Sequence, residues 1–234
     1  MAVHIGTSGW SYKEWKGSFY PADLKADAML AYYGERFDSV EVNNTFYRLP
    51  TPEMLTGWAD QVPAGFSFVV KASQRITHRA KLGPDAAEPL GWLLDACGAL
   101  GDKLGPILFQ TPPWLKQDLP VLRDFLALLP PGVRAAFEFR NVTWFEDAVY
   151  DALAEKNAAL AVADTGEEGD PPLVKTSDWG YARLRRVEYP GMLLEEWAER
   201  LGGVPWDHLW VFFKHEDEGT GPRLAERFRG LIGQ

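Results

Sequence analysis

The sequence predicts an α/β protein: a (β/α)8 TIM-type barrel that forms a single domain over residues 1–234. Three observations lead to this fold. Short apolar runs alternate with amphipathic segments about eight times, the runs are apolar throughout as in strands buried on both faces, and the chain is somewhat shorter than the ~250 residues typical of the fold. A doubly wound open sheet is the alternative, since it also alternates strands with helices. Because the first strand is not followed by Gly-x-Gly-x-x-Gly and no P-loop pattern occurs, we favour the barrel.

The predicted strands are short runs rich in Val, Ile, Leu, Phe or Ala. They span residues 3–6, 39–43, 66–70, 106–110, 134–139, 159–164, 181–185 and 209–213. Polar residues follow most of these runs. The carboxyl ends of parallel strands are where such folds bind ligands, so the sequence indicates where a site lies.

The segments between the strands carry apolar residues at helical spacing. The clearest stripes are Leu119, Leu122, Phe125, Leu126 and Leu129; Phe145, Val149, Ala152 and Leu153; and Leu224, Phe228, Leu231 and Ile232. Thr51-Pro52 predicts a helix start, because threonine caps helices and proline favours their first turn. Residues 72–88 and 165–179 are the longest irregular stretches, and we expect them to form lids over a site.

Composition is that of an ordinary globular protein, with 46% apolar and 24% charged residues. The net charge of −9 argues against a nonspecific nucleic-acid coat but is compatible with a local basic pocket. The single cysteine, Cys97, excludes an intramolecular disulfide and a cysteine-rich metal site, and we expect it in the core. With no signal-peptide pattern and no apolar run near the ~20 residues of a membrane helix, we expect a cytoplasmic protein with no membrane partner.

Tryptophan is abundant, and five of the ten lie in predicted loops. These are Trp10, Trp15, Trp114, Trp144 and Trp179. An indole in a loop is either a platform for a ligand or a lid on the core, and the sequence leaves both readings open.

Carboxylates end three of the predicted strands: Glu41, Glu138 and Asp164. Because strand ends converge in a barrel, these acids can approach one ligand. They would then bind a divalent cation such as magnesium, act as an acid–base pair or orient cationic residues. The alternative for each is a simple ion pair with a neighbouring Arg or Lys.

Cationic residues occupy comparable positions: Lys71, Arg140, Arg183, Arg185 and Lys214. Five cations against three carboxylates leave a positive surplus, which favours an anionic ligand such as a phosphate or carboxylate. Neutral hydrogen-bonding groups lie nearby, and they either bind ligand or form a structural network. They are Asn43, Asn44, Tyr47 and Gln110.

Histidines are few, and only His78 and His215 are expected at the strand ends. His4 is expected to be structural and His208 exposed. There is no His-x-His or His-x-x-x-His pair, so zinc or a dinuclear centre is weakly supported, whereas magnesium stays an option. No Gly-x-Ser-x-Gly nucleophile elbow is present.

Motifs from one end of the chain to the other resemble those of the YecE-like family, the bacterial and archaeal proteins of domain of unknown function 72. The matching strings are Ile5-Gly-Thr-Ser-Gly-Trp10 with Trp15 and Phe19-Tyr-Pro21; Val40-Glu-Val-Asn-Asn-Thr-Phe-Tyr47; Phe66-Ser-Phe-Val-Val-Lys71 with Ile76-Thr-His78; Leu108-Phe-Gln-Thr-Pro-Pro113; Phe137-Glu-Phe-Arg140 with Trp144; and Tyr181-Ala-Arg-Leu184 followed by Tyr189. The resemblance implies a (β/α)8 barrel whose site is built from these residues, without implying a reaction.

Two departures from the family pattern make this site more basic. After the seventh strand, family members carry a motif that resembles Arg-Leu-His-Gly, whereas this chain has Arg183-Leu-Arg-Arg186. After the eighth strand the family commonly shows Phe-Asn-Asn-Asp, and this chain has Phe213-Lys-His-Glu216. Both differences indicate a different or more acidic ligand.

The leading functional hypothesis is an enzyme that acts on an anionic substrate, either a phosphorylated compound or a nucleic-acid phosphodiester. Phosphoester hydrolysis is favoured over glycoside hydrolysis. The candidate catalytic residues are Glu41, Lys71, Glu138 and Asp164, where a carboxylate acts as base or magnesium ligand. The candidate ligand-binding residues are Trp10, Asn43, Asn44, Tyr47, His78, Gln110, Arg140, Trp144, Arg183, Arg185 and Lys214.

Two other functions fit the same residues. Paired carboxylates beside aromatic platforms are typical of carbohydrate-active enzymes. A non-catalytic binding or regulatory protein for a small anion is the third reading, favoured by the scarcity of histidine and the missing nucleophile motif.

The alternation of side chains along a strand gives a geometric prediction for Phe137-Glu-Phe-Arg140. Glu138 and Arg140 should share the face toward the barrel interior, and Phe137 and Phe139 should face the helices. Glu138 is then expected on one rim of the barrel together with Glu41, Lys71, Gln110 and Asp164.

Overall fold

Parallel strands form the centre of the protein. The computed structural model describes residues 1–166, 170–214 and 217–232, and in them nine β-strands form one sheet in which every strand pair is parallel. They are β1 (Ala2–Ser8), β2 (Ser39–Val42), β3 (Ser67–Lys71), β4 (Leu104–Gln110), β5 (Ala135–Glu138), β6 (Ala159–Leu160), β7 (Val162–Asp164), β8 (Trp179–Leu184) and β9 (His208–Phe213).

The sheet closes into a barrel through its sixth predicted strand. The strand order is β6-β5-β4-β3-β2-β1-β9-β8-β7, so the two edges are β6 and β7, which only Ala161 separates. Leu160 pairs with Phe137 on β5, whereas Val162 pairs with Ala182 on β8. The predicted run 159–164 therefore changes partner at its middle and joins both edges, which confirms the TIM-type barrel.

Helices pack around this barrel. Those described are α1 (Met29–Gly34), α2 (Pro52–Ala59), α3 (Ala87–Cys97), α4 (Leu119–Ala127), α5 (Asp147–Ala154), α6 (Leu193–Gly202) and α7 (Thr220–Ile232). Thr51 caps α2 as predicted, because its hydroxyl accepts a hydrogen bond from the Met54 backbone N–H at 3.3 Å. Between β7 and β8 the described residues contain no helix, so strands and helices alternate less regularly than the sequence predicts.

The two predicted lid segments differ in structure. Within residues 72–88 the chain forms a π-helical turn at Arg75–Arg79 and a short 3-10 helix at Pro84–Ala86, so this stretch is more regular than expected. The stretch 165–179 includes residues 167–169, which lie outside the described part of the chain.

The barrel interior has an apolar layer beneath a polar layer. Inward side chains of the lower part form one buried cluster: Val69, Leu108, Ala136, Ala159, Ala161, Trp179, Tyr181, Trp210 and Phe212. Two residues further along the same strands stand Lys71, Gln110, Glu138 and Arg183. Because side chains alternate with a period of two, β3, β4, β5 and β8 each contribute an apolar residue to the lower layer and a polar one above it.

The space between barrel and helices holds the larger apolar core. The predicted helix stripes face it, with Leu122, Phe125 and Leu126 buried on α4. Cys97 is buried there as well, and burial raises the pKa of its thiol to about 12. No helix within the described ranges has both the length and the apolar character needed to cross a membrane.

Most of the tryptophans predicted in loops are packing residues, and Trp179 is the first residue of β8 rather than part of a loop. Trp15, Trp144 and Trp179 are at most 2% exposed, whereas Trp114 is 57% exposed. At the amino end of the barrel, His4 stacks on Trp210 with ring centroids 4.7 Å apart, in keeping with its predicted structural role.

Candidate active site

A cavity of about 480 Å³ opens at the carboxyl end of the barrel strands. Its lining is polar and aromatic: Tyr12, Asn43, Asn44, Phe46, Tyr47, Lys71, His78, Gln110, Arg140, Arg183, Arg185 and Lys214. Most of the residues that the sequence singled out as ligand-binding candidates therefore come together here. Tyr12 and Phe46 were missed, although Phe46 lies inside the Asn-Asn-Thr-Phe-Tyr47 string.

Arg183 lies at the floor of this cavity between two carboxylates. Its Nε donates to Glu41 Oε2 at 2.8 Å and its Nη2 to Glu41 Oε1 at 2.9 Å, while Nη1 donates to Glu138 Oε2 at 2.5 Å. All three side chains are at most 2% exposed. The planar guanidinium suits this two-point contact with Glu41, so the three groups form one buried cluster, called here the Arg183 triad.

Further donors occupy the remaining carboxylate lone pairs. Glu41 accepts hydrogen bonds from the Ser8 hydroxyl at 2.8 Å, from Asn43 at 3.0 Å and from the Tyr181 hydroxyl at 2.6 Å. Glu138 accepts one from Gln110 Nε2 at 2.7 Å. Neither carboxylate lines the cavity itself, because Arg183 and these neighbours lie between it and the opening.

This environment keeps both acids ionised. Burial alone would raise the pKa of Glu41, but the Arg183 guanidinium and the hydrogen bonds from Arg183, Tyr181 and Ser8 outweigh it and lower the pKa to about 2. The pKa of Glu138 is also lowered, since Arg183 and Arg185 outweigh the effect of burial. Both carboxylates are therefore poor proton acceptors at neutral pH and act as counter-ions.

The hydrogen bonds already made by Glu41 and Glu138 affect whether these acids can bind the expected magnesium ion. Both oxygens of each carboxylate already accept hydrogen bonds from Arg183 or its neighbours. In residues 1–166, 170–214 and 217–232, no three His, Cys, Asp or Glu side chains are grouped to hold a metal ion. Glu41 and Glu138, as arranged, do not fit a ligand set for a divalent cation.

Lys71 projects from the end of β3 into the cavity. Its Nζ donates to Gln110 Oε1 at 2.7 Å and lies 4.5 Å from the centroid of the Phe46 ring. Burial above all, and then the nearby Arg183 charge, lowers the pKa of Lys71 to about 8. Since Gln110 uses its amide N–H₂ on Glu138, its carbonyl oxygen is the end that faces the lysine.

The other cations line the way out of the cavity. Arg185 Nη1 lies 3.8 Å from Glu138 Oε1, and burial and Arg183 lower its pKa. Arg140 is exposed, and among the described residues it makes no hydrogen bond or ion pair. The pairing of Glu138 is therefore with Arg183 and Arg185 rather than with the expected neighbour Arg140.

Cations outnumber carboxylates at the site. The five cations counted in the sequence line the cavity, and of the three carboxylates Glu41 and Glu138 lie beneath it. Among the described residues, Lys71 and Arg140 pair with no carboxylate. His78 adds no charge of its own at neutral pH, because burial, Lys71 and Arg140 lower its pKa. His215 and Glu216, which follow Lys214, lie outside the described residues.

Asp164 is the third carboxylate expected in the catalytic set, and the structure places it outside the cavity lining. Its Oδ1 accepts a hydrogen bond from Arg186 Nε at 2.6 Å and its Oδ2 accepts one from the Trp197 indole at 2.7 Å. Trp197 belongs to α6, so the carboxylate points outward to the helix layer. Asp164 lies at the same end of the barrel as Glu41 but on the opposite face of its strand.

Two of the tryptophans expected to bind ligand also lie outside the cavity. Trp144 stacks on Phe139 with centroids 4.3 Å apart, and its indole N–H donates to the Leu115 carbonyl at 2.8 Å. Its role is therefore packing. Trp10 packs edge-on against Trp58 at 5.1 Å and does not line the cavity.

The sequence is similar to a known family and to two of its bacterial members. The sequence pattern of the family "Protein of unknown function DUF72" matches residues 4–234. The UPF0759 protein YunF of Bacillus subtilis is 25% identical over 231 residues, covering 92% of this chain and 79% of YunF. The UPF0759 protein YecE of Escherichia coli K12 is 28% identical over 144 residues, which are 61% of this chain and half of YecE.

A solved structure shares the same fold. The crystal structure of a DUF72 family protein from Thermotoga maritima superposes with a TM-score of 0.83 at 25% sequence identity, and the match covers 100% of both chains. The barrel described above is therefore similar over its whole length to an experimentally determined one.

Proposed function

The chain belongs to the DUF72 family of proteins of unknown function, and for this member we propose an enzyme that acts on an anionic, phosphorylated substrate held in the site cavity. The observation that carries the proposal is the cationic lining of that cavity, in which Lys71 and Arg140 pair with no carboxylate among the described residues. Both available carboxylates are consumed by the Arg183 triad, and Arg140, Arg185, Lys214 and Lys71 still line the opening.

The lining cations supply the binding energy in this proposal. Arg140 and Arg185 offer guanidinium groups that match the oxygens of a phosphate, and Lys214 adds a third positive charge. A hydrogen bond to a charged group contributes about 1.5–3 kcal/mol. Arg183 adds little to this attraction, because its one positive charge lies between the two negative charges of Glu41 and Glu138.

Lys71 is the proton-transfer group of the proposed enzyme. A base operates best when its pKa is near the working pH, and the lowered pKa of Lys71 meets that condition better than those of Glu41 and Glu138. We therefore assign the role of base to the Lys71 amine, and not to a carboxylate as the sequence suggested.

The two alternative functions have less support. A glycosidase needs one carboxylic acid with a raised pKa and both carboxyl groups facing the substrate, whereas Glu41 and Glu138 lie beneath Arg183 with lowered pKa values. A net charge of −9 disfavours a long nucleic acid, so a small phosphorylated molecule or a single phosphodiester group is the better ligand.

Pyrophosphate binding measured by calorimetry tests the anion site. We expect Arg140→Ala to weaken binding by about 1.5–3 kcal/mol, and rising salt to weaken it further because the group is exposed. Arg123→Ala is the matched control, since Arg123 pairs only with Glu155 on the outer helix surface among the described residues. Equal affinity of the two variants, or no dependence on salt, would remove the anion proposal.

Turnover distinguishes an enzyme from a binding protein. The screen covers phosphomonoesters, phosphodiesters and glycosides, each with and without magnesium or manganese. Hydrolysis or rearrangement of a phosphorylated compound supports the proposal. Pyrophosphate binding without turnover of any compound would instead support the non-catalytic reading.

A further inference from the structure

We infer that Lys71 is a covalent catalyst, whose amine forms an imine with the carbonyl carbon of a phosphorylated aldehyde or ketone bound in the cavity. The inference rests on the proposed function, because the same cations must hold the phosphate. It narrows the substrate to compounds that carry both a phosphate and a carbonyl group, and it makes the neutral Lys71 amine a nucleophile rather than the base proposed above.

The contacts of the amine leave it available for this reaction. Among the described residues, Lys71 Nζ makes one hydrogen bond, to Gln110 Oε1, and no ion pair. Glu41 and Glu138 lie beneath the cavity floor, and both are paired with Arg183. A lysine that shares its cavity with cations and is not paired with an acid has little to keep it protonated.

Burial supports the same conclusion quantitatively. With a pKa of about 8, roughly a quarter of the Lys71 amines are neutral at pH 7.5, against about 0.1% for a lysine with its ordinary pKa. Only the neutral amine has the lone pair that attacks a carbonyl carbon. Lys71 should therefore outreact a surface lysine on the order of 100-fold.

Gln110 orients the attacking group. Its Nε2 donates to Glu138 Oε1 at 2.7 Å, which turns its Oε1 toward the lysine. The neutral amine keeps one N–H on that oxygen, and its lone pair is left for the cavity. The chain from Glu138 through Gln110 to Lys71 thus links the buried triad to the reactive nitrogen.

The step balances without any further reactant. The Nζ lone pair forms a bond to the carbonyl carbon, the carbonyl oxygen takes up a proton, and the nitrogen loses one, which gives a carbinolamine. Its hydroxyl then takes a second proton, which comes from the solvent, and leaves as water. The product is a protonated imine that has gained one proton overall. His78 lines the same cavity, and because its pKa is lowered it is a neutral imidazole, which can accept the proton that the nitrogen loses and pass it to the oxygen.

The chemistry of the imine determines which class of reaction follows. A protonated imine withdraws electrons from the bonds at the adjacent carbon, so it favours proton removal or carbon–carbon cleavage there. Phosphorylated hydroxy-aldehydes and hydroxy-ketones can undergo both proton removal and carbon–carbon cleavage at that carbon.

Pyridoxal 5′-phosphate is the probe, since it is an aldehyde that carries a phosphate. The protein is incubated with it at pH 8, the imine is reduced with borohydride, and the modified lysines are located by peptide mass spectrometry. We expect wild type to be modified chiefly at Lys71, with protection by pyrophosphate and weaker labelling by pyridoxal, which lacks the phosphate. Lys71→Arg should lose this adduct, whereas Lys81→Arg, which removes an amine 5.5 Å from the Trp114 ring, should keep it.

The outcomes separate this inference from the function on which it rests. If pyrophosphate binds in calorimetry but wild-type Lys71 is not labelled above the surface lysines, the imine is overturned and the phosphate site stands. If pyrophosphate neither binds nor protects, both fail. The peptide map of the wild-type protein decides the matter even if Lys71→Arg does not fold.

Discussion

Arg183→Met is expected to lower the free energy of unfolding by about 3–5 kcal/mol, or to prevent folding. The substitution keeps most of the side-chain volume but removes the charge between Glu41 and Glu138, both of which are buried. Two uncompensated carboxylates in a buried layer would then face each other across the barrel. Urea denaturation followed by circular dichroism measures the effect.

Two further variants make this expectation specific. Arg123→Met removes an exposed ion pair with Glu155 and should cost at most about 1 kcal/mol. Combining Arg183→Met with Glu41→Gln and Glu138→Gln should recover part of the loss, because neutral amides do not need a counter-ion. A stable Arg183→Met protein, or a triple variant less stable than the single one, would contradict the triad.

Lys71→Met is expected to reduce turnover of a phosphorylated substrate by about 10²–10⁴-fold. With a pKa of about 8 the amine is partly neutral near that pH, and methionine fills its space without a lone pair on nitrogen. The measurement is kcat and KM on the compound that the screen identifies, with the thermal unfolding midpoint recorded beside it.

Lys71→Arg is the matched control for charge. Arginine keeps the positive charge but does not deprotonate, so KM should stay near the wild-type value while kcat falls as it does for methionine. In wild type, the rate should rise with pH through about 8, because the neutral amine is the active form. A variant with wild-type kcat, or a pH profile without that rise, would remove Lys71 from the chemistry.

The barrel and its polar layer could be predicted from strand periodicity. Glu138 faces the interior, while Phe137 packs near Phe125 of α4 and Phe139 stacks on Trp144, as the alternation predicts. The partner of Glu138 could not be predicted, because Arg183 reaches it from another strand of the barrel. Which strands contact each other across a closed sheet depends on register, and local sequence does not encode it.

The outward orientation of Asp164 could have been predicted from the alternation of side chains along its strand. Leu160 and Val162 are large and pack toward the helices, whereas Ala159 and Ala161 are small and face the interior. With a period of two, Asp164 shares the face of Leu160 and Val162, so the alternation itself places it outward. The break between β6 and β7 at Ala161 does not change the alternation, because Leu160 before it and Val162 after it both face the helices.

The most direct test is the titration of Lys71 itself by NMR, using isotope-labelled lysine and assigning its signal by the loss of that signal in Lys71→Arg. We expect a pKa of about 8 in the free protein. Pyrophosphate should raise that pKa, because an anion bound among the cations favours the charged amine. A Lys71 signal that titrates with the ordinary lysines near ~10.5 and does not respond to pyrophosphate would contradict both the cationic cavity and the reactive amine.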